Sequence, residues 1–479
     1  ERDSLSALLR ALESAPPGET LADRLDARLM RASLLHAQAA LDHWPRFVQP
    51  SWYTGEVAFG LIALLLPGAR SIPADALRQR LEAAPRFLAE ARPHLAGRPV
   101  PADWCERARR ECLALDRLLS TGLPLHPSWT DALDGPSRKA REAVADFARG
   151  LQRLPDREPS CGRDYLDHLM RDVHGLPWSP EEAFTFAGES FRELSAQIES
   201  HPARHNPPQP AVPVDNLPAT YRRWHERTMA AAGALVTPAV DYDLSFAPLP
   251  DWAGGVAGDL YFLSYRCPTA LAAGAGSIYW TAPVPQPLTA VKQTHAIHHG
   301  SIGHHTQNTR ARAAASRLAR IGGNDCASGV ALLASGTMIE GWACYVTEIA
   351  AEMDGLYDEA DHLASLMAQR RNAASVLADI GLHSGGWGLE RMRSFYIDDA
   401  GFPAARVWSE TTRNSILPAT RLMYFLGTQQ IRDLRRKIGG CPRAFHDRLL
   451  SYGHVPVNWI GEEMSRHSGQ DSAATSAAK

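Results

Sequence analysis

Five of the chain's nineteen histidines fall within eleven residues, in the stretch Thr294-His295-Ala296-Ile297-His298-His299-Gly300-Ser301-Ile302-Gly303-His304-His305-Thr306-Gln307. Neutral imidazole is the commonest metal ligand among side chains. The density therefore predicts a metal site rather than a polyhistidine surface loop, with Glu340 in a Gly-Trp context as a nearby carboxylate. Such a site constrains the fold, because its ligands must converge on one point. On a regular helix, at about 100° per residue, His295 and His299 lie within about 40° of each other, one turn apart. They would bind a metal in the manner of His-Glu-x-x-His, with Ala296 standing where that motif has its base. His298 and His304, six residues apart, point to different faces of an ideal helix. They meet only if the helix is distorted between them, and Gly300 and Gly303 permit that distortion.

The rest of the chain reads as an ordinary soluble protein. Its 479 residues suffice for two or three domains, or for one helical body with lobes. A net charge of −3, with basic residues scattered among acids, argues against a nucleic-acid partner. The longest apolar run, Val57 to Leu66, is too short to span a bilayer and argues against a membrane partner. The seven cysteines (105, 112, 161, 267, 326, 344 and 441) lie far apart with no Cys-x-x-Cys pair, which predicts reduced thiols and a cytoplasmic location. No signal peptide is visible, although the numbering opens on Glu1 rather than Met and a removed leader stays open. Nothing in the sequence assigns an oligomeric state.

Helical spacing of Leu and Ala predicts helices over 20–43, 73–93, 102–120 and 129–153, punctuated by prolines, with Trp52 and Tyr53 preceding a short apolar helix. This N-terminal helical lobe spans 1–155. A metal-binding region follows over 156–465, and a small, polar, disordered tail over 466–479. Ser179 is a good helix N-cap, with Pro180 at the first helical position and Glu181 and Glu182 behind it. Residues 201–217 read as a proline-rich connector and 218–232 as a helix. Strands are expected at 239–242, 260–263 and 277–281, forming a small sheet beside the metal site whose edge could take an extended substrate. Beyond 328 the chain reads as helical again, over 328–353, 358–381, 386–397, 403–413, 417–437 and 442–451.

The register from Thr294 to Gln307 resembles the signature His-Glu-Gly-x-Pro-Gly-His-His-x-Gln of the domain-of-unknown-function-885 family, bacterial proteins akin to helical zinc metallopeptidases. Three further blocks are similar to that family: Glu340-Gly341-Trp342-Ala343-Cys344-Tyr345, Asp379-Ile380-Gly381-Leu382-His383, and the series Glu410, Arg413, Pro418, Tyr424 and Gly427. The segment 162–192 looks like the family's middle region, so the resemblance covers roughly residues 160–440. It implies a mainly α, helical gluzincin-like metallopeptidase fold with a small sheet beside the site. It also implies a zinc held by His298, His304 and Glu340, with an open position for water or substrate. Iron or another divalent metal also suits two histidines and a carboxylate. Glu348, Asp379 and His305 would be second-shell partners orienting the imidazoles. Tyr424, His383 and Arg413 would polarise a substrate or stabilise developing charge. Trp342 and Trp387 are expected to pack.

The chain departs from the family at three places. His299 stands where the family has the Glu that deprotonates water, Ile302 replaces its Pro, and Pro418-Ala419-Thr420-Arg421 replaces its Pro-Gly-Gln-Ala. A carboxylate is the usual base in such peptidases, and imidazole can do the same work near neutral pH. The expected function is a metal-dependent hydrolase of a peptide or small amide with His299 as the catalytic base. A repurposed lyase, cyclase or isomerase of specialised metabolism is the second expectation, and an inactive binding protein the third.

Overall fold

Reciprocal capping starts three of the long helices. Thr20 and Asp23 exchange side-chain and backbone hydrogen bonds ahead of Leu21–His43, Ser179 and Glu182 ahead of Pro180–Ser200, and Asp358 and Asp361 ahead of Glu359–His383. Each box satisfies two of the N–H groups a helix start leaves without partners. The computed structural model describes residues 1–16, 18–66, 74–206, 210–239, 243–258, 265–266, 276–321 and 335–466. Within them the chain is mainly helical.

The expected N-terminal helices appear as Leu21–His43, Ala74–Leu95, Ala102–Arg117 and Asp134–Leu151. Trp52 and Tyr53 lie inside Pro50–Leu65 rather than before it, because a proline in the first helical turn forfeits no hydrogen bond. Later helices run Leu217–Ala231, Gly336–Ile349, Glu359–His383, Leu389–Ser394, Ala404–Ile416, Leu422–Ile438 and Pro442–Ser451. Positions 328–334 of the helix expected at 328–353, and positions 467–479 of the expected tail, lie outside the described residues; 457–466 is helical. No helix among the described residues is long and apolar enough to cross a membrane.

Two buried cores organise these elements. One gathers Trp44, Tyr53, Leu61 and Trp104 from the N-terminal helices with Val376, Ile380 and Leu426 from the C-terminal half. The other gathers Tyr221, Phe246, Tyr279, Ile297 and Trp342, and Leu25, Leu29 and Ala32 of the N-terminal region belong to it. The cores thus interleave the segments before and after residue 155.

A small three-stranded sheet carries Ser277–Thr281 at its centre, parallel to Leu244–Pro248 and antiparallel to Tyr265–Arg266. Its middle residue, Tyr279, is fully buried. Of the other expected strands, 240–242 and 260–263 lie outside the described residues, and Ala239 is not in a strand. Ala211–Val212 pairs with Gln286–Pro287 as a separate two-residue ribbon. Behind the site, Gly336–Ile349 packs on Leu422–Ile438 with backbone against backbone. A Cβ on Gly341 would stand 2.6 Å from the carbonyl carbon of Gly427, so side chains at this crossing would force the helices apart.

Candidate metal centre

The histidine stretch is helical but not regular. Val291–His299 forms wide i→i+5 turns, Gly300 leaves helical geometry at φ −95° and ψ −142°, and Gly303 kinks the following turn at φ −79° and ψ −127°. Turns of this kind concentrate at functional sites. A Cβ at Gly300 would meet the Ala296 carbonyl oxygen at 2.6 Å, and one at Gly303 would collide with the carbonyls of Ile297 and His298. The distortion frees carbonyls, and side chains satisfy them. Ser301 Oγ donates to Ala296 O at 2.6 Å, Thr306 Oγ1 to Ser301 O at 2.6 Å, and Trp342 Nε1 to Ile302 O at 2.9 Å. Trp342 is therefore a packing residue that also braces the kink.

The kink brings together residues six apart. Nε2 of His298 and Nε2 of His304 lie 3.5 and 3.6 Å from Oε2 of Glu340. Donors about 2.0–2.1 Å from a tetrahedral zinc are about 3.3 Å apart, so these spacings fit a shared ion. Ligand atoms of His298, His299 and His304 all fall within 4.8 Å of one another. Oε2 of Glu340 is buried and has no hydrogen-bond partner, a costly condition that a cation would relieve. Burial lowers His298 and, more strongly, His299, so both are neutral donors at pH 7.

Hydrogen bonds behind the imidazoles set their tautomers. The Gln307 amide donates to Met338 O at 2.8 Å, which turns its Oε1 towards Nδ1 of His304 at 3.3 Å. His304 must then carry its proton on Nδ1, leaving the Nε2 lone pair towards Glu340. The Tyr279 hydroxyl lies 3.0 Å from Nδ1 of His299 and 2.6 Å from Nδ1 of His295. The alternative pair, His295 and His299, thus meets on a phenol through Nδ1. Gln307 stands in the family signature, and Tyr279 lies within the expected strand, but sequence reasoning gave neither a role. The signals for Gln307 were its place in that signature and its position three residues after His304.

Other expected residues are placed differently. Tyr424 lines a cavity of about 460 Å³ that His298 also lines, and Arg413 donates to its hydroxyl at 3.3 Å. Burial, and after it the Glu340 charge, pushes the Tyr424 phenol up to about 12. His305 reaches Ser277 Oγ at 3.2 Å with Nδ1, on the sheet side of the kink. Glu348 lines the same cavity and pairs with Arg432 instead of an imidazole. Burial raises its carboxyl to about 7, against the pull of Arg432. Asp379 is fully buried and accepts the Ala419 N–H at 3.0 Å. That bond holds Ala419 at φ 64°, a left-handed conformation strained for any residue with a Cβ. His383 is built into the other core, with Nε2 3.0 Å from Asn414 O and Nδ1 accepting the Cys161 N–H at 3.2 Å. Both ring nitrogens being engaged, the geometry gives His383 a structural place and does not bring it to the cluster. Trp387 packs on Phe395 at 5.2 Å.

The model of a family described as bacterial protein of unknown function (DUF885) matches residues 1–464. Two solved structures share the fold. A candidate lipoprotein of unknown function from Shewanella oneidensis superposes with a TM-score of 0.71 at 16% identity, over 97% of this chain and 92% of its own. A candidate lipoprotein from Colwellia psychrerythraea superposes with a TM-score of 0.76 at 15% identity, over 97% and 90%. No curated protein matches the chain.

Proposed function

The chain belongs to the DUF885 family, and we propose that it is a metal-dependent hydrolase of a peptide or small amide on a helical gluzincin-like scaffold. The observation that carries this reading is the Glu340 oxygen, buried without a hydrogen bond and facing two imidazole nitrogens at ligand spacing. His298, His304 and Glu340 would hold zinc, or iron in the same donor set. When bound, such an ion supplies Lewis acidity and lowers the pKa of a water molecule.

The chain's own residues would do the rest. His299 stands beside the ligands with Nδ1 on Tyr279, which leaves Nε2 to take a proton from the nucleophile and return it to the leaving nitrogen. Tyr279 orients that ring. Tyr424, its hydroxyl steadied by Arg413, is the donor for charge developing on a carbonyl oxygen. The cytoplasm is the compartment we propose, from seven cysteines that lie far apart with no Cys-x-x-Cys pair.

A second reading, a non-hydrolytic lyase, cyclase or isomerase, draws on Tyr279 lying between His295 and His299. Two imidazoles joined through a phenol can pass a proton without releasing it to water.

The test is elemental analysis of the purified protein, joined to an assay on a peptide library with and without chelator. One equivalent of zinc and peptide cleavage that the chelator abolishes and zinc restores is the expected result. Absence of any bound transition metal would overturn the reading, and stoichiometric metal without amide cleavage would favour the second.

A further inference from the structure

The cavity that His298 and Tyr424 share is also walled by Arg371, Arg406 and Arg421, with Glu348 as the only carboxylate lining it among the described residues. These charges do not balance. Arg421 is buried and donates to Glu410, whose other oxygen accepts Arg406 at 2.9 Å. Glu348 is taken by Arg432. Arg371 is left over: among the described residues its half-buried guanidinium makes no ion pair and no hydrogen bond. Burial, with Arg406 beside it, lowers Arg371 to about 10, against the pull of Glu410, so it stays charged at neutral pH. A partly desolvated cation without a counter-ion costs free energy that an incoming anion recovers.

We propose that the cavity takes a substrate bearing a free carboxylate, which Arg371 pairs, while the reacting group sits at His298, His304 and Glu340; this rests on the metal-enzyme reading above. A guanidinium presents two parallel N–H donors that match a carboxylate. One uncommitted cation matches a monoanion better than a phosphate dianion, since Arg406 and Arg421 are already engaged by Glu410. Gln369 in the same wall is engaged by Ser365 and Arg432, whereas the neutral amide of Asn372, whose Nδ2 meets only the weak acceptor Cys344 Sγ at 3.6 Å, suits an amide group of a short peptide or acylated amino acid. At about 460 Å³ the space is of the size that small molecules occupy.

The experiment is calorimetric titration of the zinc-treated full chain with N-acetyl dipeptides ending in Gly, Leu and Phe, each as free acid and as C-terminal amide. At least one acid is expected to bind about tenfold or more tightly than its amide, the scale of one charge-assisted pair. Arg371→Gln should bring acid and amide within about twofold while zinc content is unchanged, and Arg371→Lys should keep part of the preference. Equal affinities in the wild type, or a preference that survives Arg371→Gln, would overturn the inference. Inorganic phosphate displacing the best acid more effectively than acetate does would also overturn it, in favour of a phosphate ligand. Zinc content, read on the same samples, separates the two readings. Bound zinc without acid preference sinks the carboxylate site alone, whereas acid preference without zinc sinks the metal reading alone.

Discussion

The Tyr279 hydroxyl stands 3.0 Å from Nδ1 of His299 and closer still, at 2.6 Å, to Nδ1 of His295. A phenol has a single proton to donate, so one imidazole gives it a hydrogen bond and the other receives one. The proton positions on the two rings are therefore linked. Tyr279→Phe should leave zinc content intact and lower turnover by about 10–100-fold, the usual cost of losing a partner behind a functional imidazole. Unchanged kcat in a zinc-replete variant would show that the phenol orients nothing.

Glu340→Ala and His304→Ala should each abolish stoichiometric metal binding while helical content, read by circular dichroism, stays near that of the wild type. Glu340 supplies the buried oxygen and His304 a nitrogen whose tautomer Gln307 sets. Full metal in both variants would move the centre to other ligands.

His299→Glu restores the carboxylate of the resembling family signature. Carboxylates titrate some two units below imidazole, and Glu has no counterpart to the ring nitrogen that meets Tyr279. If His299 carries the proton, native turnover should fall by about 10²–10⁴-fold, the range for general acid–base catalysis. Some cleavage of generic peptides should appear in its place. Native turnover equal to the wild type would assign His299 a passive role.

Asp379 makes stability depend on pH. Burial raises its carboxyl to about 7, against opposing hydrogen bonds from the Ala419 region and the charge of Arg421, whereas an unfolded Asp ionises near about 3.9. The folded state holds this proton between those values. Its contribution is therefore full below about pH 4 and is lost as pH rises through about 7. Asp379→Asn can keep the oxygen that accepts the Ala419 N–H and removes the titration. The melting temperature of the variant minus that of the wild type should be more positive at pH 8 than at pH 4. The same difference at both pH values would show that the carboxyl does not titrate in this window.

Local signals in the sequence were readable where their chemistry is local. Ser179 with Glu182 marked a helix start, Pro442–Ser451 spans the expected residues, and Ser277–Thr281 forms the expected strand. His298 and His304 were paired by the family resemblance, Gly300 and Gly303 between them permitted the distortion that pairing needs, and the kink occurs at those glycines. Glu348, Asp379 and His383 were less legible. Their partners are Arg432, Ala419, and Cys161 with Asn414, placed by helix packing across long stretches of sequence. Tyr279 read only as a strand residue, because its hydroxyl finds the imidazoles through the docking of the sheet on a distorted helix.

The touching backbones of Gly341 and Gly427 bear on how this cavity can be remodelled. Glu340 directly precedes one glycine, and Tyr424 lies one turn before the other. The span from the Glu340 carboxylate to the Tyr424 phenol is thus set by main chain and cannot be tuned by exchanging side chains at the crossing. The facing wall comes largely from Glu359–His383, through Ala364, Ser365, Ala368 and Ser375 among others. Exchanges among these small side chains would reshape the cavity without touching the Gly341–Gly427 crossing. A change in what the cavity admits therefore has one wall that can vary and one that must be inherited whole.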